Sequence, residues 1–190
     1  MRSLIRFLIV VMSLAMPASL FAQNAPVPVS KPEKLETLFS DLKRARDEQV
    51  AKRIADKIWA AWFESGSATV DFLIAHANTA IGKRDFDLAL DLLDQAIMLA
   101  PDNPESWNRR ATVHFMLDNH AKSMTDIERT LRLEPRHFGA LAGMAAILRQ
   151  RGNDELASRA YERALAVYPM MRSAQTAVGE LTDKLAGEGI

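Results

Sequence analysis

The chain has no cysteine, which removes disulfides, thiol nucleophiles, cysteine-held zinc and lipid attachment through an N-terminal cysteine. It has no excess of either charge: 24 Lys and Arg stand against 24 Asp and Glu in 190 residues, so a nucleic-acid partner is not expected. It has no HExxH or other paired-ligand spacing among its four histidines, His76, His114, His120 and His137, and each of these falls where packing or a turn explains it. No glycine-rich phosphate loop is present, and Ser65-Gly66-Ser67 lacks the strand-turn-helix setting of a serine nucleophile. Neither metal nor cofactor is expected. Hydrophobic residues make up 48% and charged residues 25%, a balance that belongs to a folded chain rather than a disordered one.

The first apolar stretch is short. Arg2 and Arg6 precede an apolar run, Phe7–Leu14, and Pro17 then leads to Ala18-Ser19-Leu20-Phe21-Ala22. This order is that of a secretory signal peptide over residues 1–22, with cleavage expected after Ala22. Leu20 stands where a small residue is usual. A bilayer span needs about 20 apolar residues, more than this run supplies; the alternative is an uncleaved inner-membrane anchor. Without Arg2 and Arg6 the chain keeps 22 basic and 24 acidic residues, a net of −2. The expected destination is the periplasm or the exterior, and residues 23–32, with three prolines, read as an extended linker.

A period of 34 organises the rest. Pro101, Pro135 and Pro169 are separated by 34 residues each time. Small residues recur in the same phase: Ala77, Ala89 and Ala96, then Ala111, Ser123 and Thr130, then Ala145, Ala157 and Ala164. Bulky positions recur too, at Leu93, Ile127 and Tyr161 and at Leu73, Trp107 and Leu141. Two antiparallel helices cross closely only where their side chains are small, and proline ends the second helix of each pair. Gly152-Asn153, Arg84-Asp85 and Asp118-Asn119 fall at equivalent turns inside the pairs, and Asn103-Pro104 reads as an N-cap with proline at the first helical position.

These residues resemble the tetratricopeptide repeat family over 70–171, and its length of 34 is the family period. Trp107 matches the family's tryptophan, while Ala77, Ala111 and Ala145 stand where glycine is commonest and Ala80, His114 and Leu148 where tyrosine is expected. The resemblance implies an all-α solenoid of antiparallel helix pairs with flanking capping helices. The expected repeats are 70–103, 104–137 and 138–171, followed by a capping helix and tail over 172–190. Ahead of them, Ser30 and Glu33 have capping-box spacing, and stripes through Leu35, Leu38, Phe39 and Leu42 and through Ala51, Ile54, Ala55, Ile58 and Trp62 predict a helical hairpin over 33–66. Stepping the period back puts Lys43, Trp62 and Ser67 where small, small and proline belong, so the hairpin reads as a divergent repeat. It looks like the front of secreted alphaproteobacterial tetratricopeptide proteins. Trp59 and Trp62 read as core between helix pairs rather than as an exposed patch.

Asp85, Asp87, Asp91 and Asp94 read as a solvated acidic face rather than a cation site. The interleaved run from Lys43 to Lys57 reads as a solvated helix surface. What remains for function is the groove that the first helices of such repeats line. The resemblance places Ile74, Asn78, Asn108, Thr112, Phe115 and Arg149 in it. The family's carboxylate clamp is matched only at Asn78; Ile74, Arg109, Gly139 and Gly143 replace its other residues. An apolar helix or extended peptide is therefore the expected ligand, not an acidic tail. The function this implies is a non-enzymatic, exported scaffold for a protein or peptide partner in the cell envelope. Two alternatives stand beside it: a structural or assembly protein that uses the groove for self-association, and an enzyme without a recognisable motif.

Overall fold

The computed structural model describes residues 31–188. The expected signal segment, Ser30 and most of the linker lie outside them, while Lys31 and Pro32 already belong to the first helix. The described residues form an all-α solenoid. Its helices are α1 (Lys31–Arg44), α2 (Glu48–Phe63), α3 (Ala68–Gly82), α4 (Phe86–Leu99), α5 (Pro104–Met116), α6 (His120–Leu133), α7 (Phe138–Gln150), α8 (Asp154–Val167) and α9 (Arg172–Glu188). The pairs α3/α4, α5/α6 and α7/α8 stack in sequence, and α9 packs on α8.

The period of 34 is written into the backbone three times. The residues before the prolines, Ala100, Glu134 and Tyr168, have φ of −141°, −136° and −124°. Each is pushed out of helical space by the ring that follows, and the second helix stops there. Inside the pairs, Arg84, Asp118 and Gly152 take φ of +62°, +57° and +73° at the same turn. This left-handed residue turns the chain back so that its two helices run antiparallel.

All nine small residues are sealed at the crossings, with relative exposure of 2% or less. In the middle repeat two of them are hydroxyls, and both are satisfied: Ser123 donates to the Ala111 carbonyl at 2.8 Å and Thr130 to the Asp126 carbonyl at 2.9 Å. The convex side is tied by Arg110, which donates to Asp94 of α4 at 2.6 Å and to both oxygens of Asp126 of α6 at 2.7 and 2.8 Å. Asp94 is thus a member of an ion-pair bridge, not only part of a solvated face. Trp107 lies under Arg110 and Arg129 and donates from its indole N–H to the Pro101 carbonyl at 2.9 Å.

The hairpin α1/α2 forms where the stripes put it, and Asp47 caps α2 by accepting from the Val50 amide at 2.8 Å. It does not stack on α3 and α4 as a preceding repeat would. It packs on α5, α7 and α8, with Leu38, Phe39, Leu42, Ala51, Ala55, Ile58 and Trp62 in one apolar cluster with Phe138 and, at its edge, Val167 and Tyr168. Two features account for this. Bulky Trp62 stands at the crossing position, so α2 has no close approach to α3 of the repeat kind. The link to α3 turns at Gly66, φ +87°, next to Ser67, which stands where the repeats carry proline, and is fixed by Ser65 donating to Asp71 at 2.6 Å. Arg136 then clasps α1, with its guanidinium 4.0 Å from the Phe39 ring and 2.8 Å from Glu36.

A non-glycine residue in the left-handed region costs about 1–2 kcal/mol. Gly152→Ala meets no atom within 4 Å, so that backbone cost is the whole effect. We expect it to lower stability by about 1–2 kcal/mol, and Arg84→Gly at the equivalent turn to raise it by about 0.5–1 kcal/mol, as read from urea midpoints.

Candidate functional site

The first helices α3, α5 and α7 line the concave side. At its centre Glu105 is fully buried, and three donors converge on its carboxylate. Arg109 Nε, one turn on in α5, lies at 2.5 Å, Asn108 Nδ2 at 3.2 Å and His137 Nε2 at 3.1 Å. The His137 tautomer follows from its other nitrogen: Nδ1 accepts the Ala140 amide at 3.1 Å as the N-cap of α7, so the proton sits on Nε2 and is donated to Glu105. A buried carboxylate without such partners would be severely destabilising.

The hairpin closes over this knot. The Trp62 ring stacks on His137 at 4.0 Å and 10°, and Trp59 meets His137, Phe138 and Trp62 edge-on at 5.2 to 5.4 Å. Arg109 lies over the Trp59 and Phe63 rings at 5.6 and 4.7 Å. Gly139 is the point of closest approach: a Cβ there would sit 2.6 Å from the Trp59 ring. The two tryptophans are core, as their spacing suggested, but they fill one end of the concave side.

Beside this end the groove stays open. A cavity of about 160 Å3 is lined by Asn108, Ala111, Thr112 and Phe115 of α5, Ser123 and Ile127 of α6, and Gly139, Ala140 and Gly143 of α7. Its polar groups are engaged internally: Thr112 donates to the Asn108 carbonyl at 3.0 Å, Ser123 to Ala111, and Asn108 to Glu105. The wall it offers is therefore hydrocarbon. At Gly143 an added Cβ would meet only the end of the Ile127 side chain, at 3.4 Å, so the space there is free rather than required by packing.

Of the six residues assigned to the groove from sequence, the structure brings three together, Asn108, Thr112 and Phe115, in this cavity. Asn78 lies apart, in a shallower recess with Phe63, Glu64, Asp71 and Ala75. Ile74 is corrected: it is 1% exposed, packed with Val70, Leu73 and Ala96 inside the first repeat, and is not available to a ligand. Arg149 is exposed, outside the cavity, and paired with Glu180 of α9 at 2.7 Å. The Glu105–His137 contact and its tryptophan cover were not read from the sequence. The displaced phase at Trp62 was the one signal that the hairpin would pack differently.

On the convex side His114 is buried and its Nδ1 has no partner. Burial pushes its imidazole below the ordinary value; Asp126 pulls the other way, and Arg110 and Lys122 add to the burial. Among the described residues no group of three His, Cys, Asp or Glu side chains gathers as a metal site.

Comparison with known proteins adds the relationship. No family model matches the chain. A TPR repeat-containing protein of Rhizobium etli is 53% identical over 158 residues, which span 83% of this chain and 78% of that one. The first TPR of Spaghetti (RPAP3) bound to an HSP90 peptide, SRMEEVD, superposes with a TM-score of 0.60 at 23% identity, covering 63% of this chain and 95% of that one. The Sgt2 TPR domain from Aspergillus fumigatus does so with 0.60 at 21%, covering 65% and 83%. At these identities the structures speak for the fold alone.

Two outcomes check the site's construction. Gly139→Ala must displace Trp59 and should cost about 1–3 kcal/mol with a shift in tryptophan emission, while Gly143→Ala should be neutral or stabilise by up to about 1 kcal/mol. His114 with its lowered folded pKa binds fewer protons than in the unfolded chain below about pH 6.5, so it withdraws stability as pH falls through that range. The slope of stability against pH between about 7.5 and 5 should accordingly be flatter in His114→Leu.

Proposed function

The chain belongs to the tetratricopeptide repeat proteins, and from that footing we propose that it is an exported, non-enzymatic scaffold that holds a peptide or helix of a cell-envelope protein in its concave groove. One observation carries this reading: the open part of the groove is an apolar cavity whose polar side chains, Asn108, Thr112 and Ser123, each donate within the protein. A cavity of about 160 Å3 accommodates one branched or aromatic side chain of a partner. Phe115 and Ile127 flank it, and Gly143 lets a peptide backbone approach α7.

An acidic C-terminal tail, of the kind in the HSP90-peptide complex, does not suit this groove. Arg109 is committed to Glu105, Gly139 lies under Trp59, and Ile74 is buried. Export rests on the N-terminal segment, whose order of charge, apolar run and small residues supports it. No helix among the described residues is long and apolar enough to cross a membrane.

The test uses a variant that fills the cavity without removing a core contact. Gly143→Leu should keep the helical circular-dichroism signal and abolish in-cell cross-linking to the partner that the unaltered chain captures; unchanged cross-linking places the binding surface elsewhere. For export, the mass of the N-terminal peptide recovered from a bacterial host should begin at Gln23, and recovery of Met1–Ala22 in the membrane fraction would instead mean an anchor.

A further inference from the structure

Two surfaces of the solenoid stay open. On the first repeat Phe72 is 59% exposed, against 1% or less at its equivalents Ser106, Ala140 and Ala174, yet nothing around it selects a partner. The groove does select. A peptide laid there as an extended strand needs hydrogen-bond donors for its carbonyls, and the cavity wall is short of them. Asn108 donates to Glu105, Thr112 to the Asn108 carbonyl and Ser123 to the Ala111 carbonyl. The Ala140 amide is taken by His137 Nδ1, and Gly143 lies inside α7, where its backbone groups serve the helix. Ala111, Phe115 and Ile127 present hydrocarbon. Backbone groups desolvated against such a wall forfeit the hydrogen bonds they made to water. A helix enters with its N–H and C=O groups already bonded to each other and escapes that cost.

At the neighbouring first helix the concave side changes character. Phe63 and Glu64 at the end of α2, and Asp71, Ala75 and Asn78 along one stripe of α3, line a recess. Asp71 is half-buried, and both Ser65 donors, the amide at 2.7 Å and the hydroxyl at 2.6 Å, go to its Oδ1. Its Oδ2 keeps its lone pairs, and no cation pairs with Asp71 among the described residues. Asn78 Oδ1 is buried and accepts no hydrogen bond. Glu64 adds a second carboxylate to the lining. Arg109 lies 4.7 Å from the Phe63 ring, but its charge is met by Glu105 at 2.5 Å. The recess thus joins unspent acceptors and net negative charge to an aromatic wall, the surroundings that suit a Lys or Arg side chain.

The spacing of the two sites fits one helix. The recess belongs to α3 and the end of α2, the cavity to α5, α6 and α7, and α3 and α5 are in contact. Packed helices lie about 8–10 Å apart. In a ligand helix crossing them, seven or eight residues cover about 10–12 Å and return to the same face.

We propose that the occupant of the groove is an amphipathic helix of the partner, which seats a branched or aromatic residue in the cavity and, two turns away, a Lys or Arg in the recess against Asp71. This rests on the reading that the groove is where a partner binds, and it adds the form and the charge of what binds there. The apolar residue supplies the anchor, and the cation fixes which helix is accepted and in what register. An acidic segment is rejected twice, by the carboxylates of the recess and by the hydrocarbon of the cavity.

Selection from a displayed library of random peptides of about 16 residues, long enough for four helical turns, on the immobilised full chain tests this. The enriched peptides should carry a Leu, Ile or Phe with a Lys or Arg seven or eight residues away. Titrated against the chain, such a peptide should gain helical circular dichroism on binding, and a proline placed between the two positions should weaken it at least about tenfold. Asp71→Asn keeps Oδ1 for Ser65 and removes only the charge. It should leave the circular dichroism of the free chain unchanged, weaken binding about three- to tenfold and flatten its dependence on salt. Peptides that Gly143→Leu excludes but that tolerate the proline, or that bind Asp71→Asn as well as the unaltered chain, overturn the proposal and leave the groove as the binding surface. Peptides that bind Gly143→Leu undiminished, or a selection that enriches none, overturn both.

Discussion

A buried carboxylate holds this molecule in its particular arrangement. Glu105 sits under two tryptophans with Arg109, Asn108 and His137 as its donors. Such an ion in a low-dielectric interior is tolerated only while its partners stay in place, and removing one partner of a buried pair costs about 3–5 kcal/mol. His137 has a second obligation, since its Nδ1 starts α7. The knot therefore couples the register of α5, the start of α7 and the seat of the hairpin. Trp62 stacked on the His137 ring and Trp59 against Gly139 add the apolar contact that fixes α2 there.

Three properties follow from that one attachment. The concave side loses the end at which a carboxylate clamp would lie, because Arg109 and Gly139 are covered. What remains open is hydrocarbon, because Thr112, Ser123 and Asn108 spend their donors on the chain itself. The first repeat, left without a predecessor, exposes the surface that later repeats bury. The same residues that narrow the choice of ligand in the groove thus free a different surface at the leading end.

The repeats were legible because their constraints are local and periodic. A crossing of two helices admits only small residues, a proline stops a helix, and a turn needs one left-handed residue, so the nine small positions, three prolines and three turns state the fold in sequence. The hairpin helices were legible for the same reason, from their stripes. Its placement was not, because it depends on contacts between residues far apart: Trp62 with His137, Trp59 with Gly139, and Arg136 with Glu36. The groove residues were legible where the family geometry applies, at Asn108, Thr112 and Phe115. Ile74 failed because it turns inward among Val70, Leu73 and Ala96, and Arg149 because α9 supplies Glu180 as a partner.

The central claim is that α1 and α2 are an integral part of the solenoid, held by the Glu105 knot, and not a separable appendage. Native-state hydrogen exchange measures this directly, because amides that open only with the whole protein share its global stability. The account requires the amides of Ile58 to Trp62 in α2 to exchange with the same free energy of opening as those of Ala111 in α5 and Ile147 in α7. Exchange of the α2 amides several kcal/mol more easily than these would show a hairpin that opens on its own, and would contradict it.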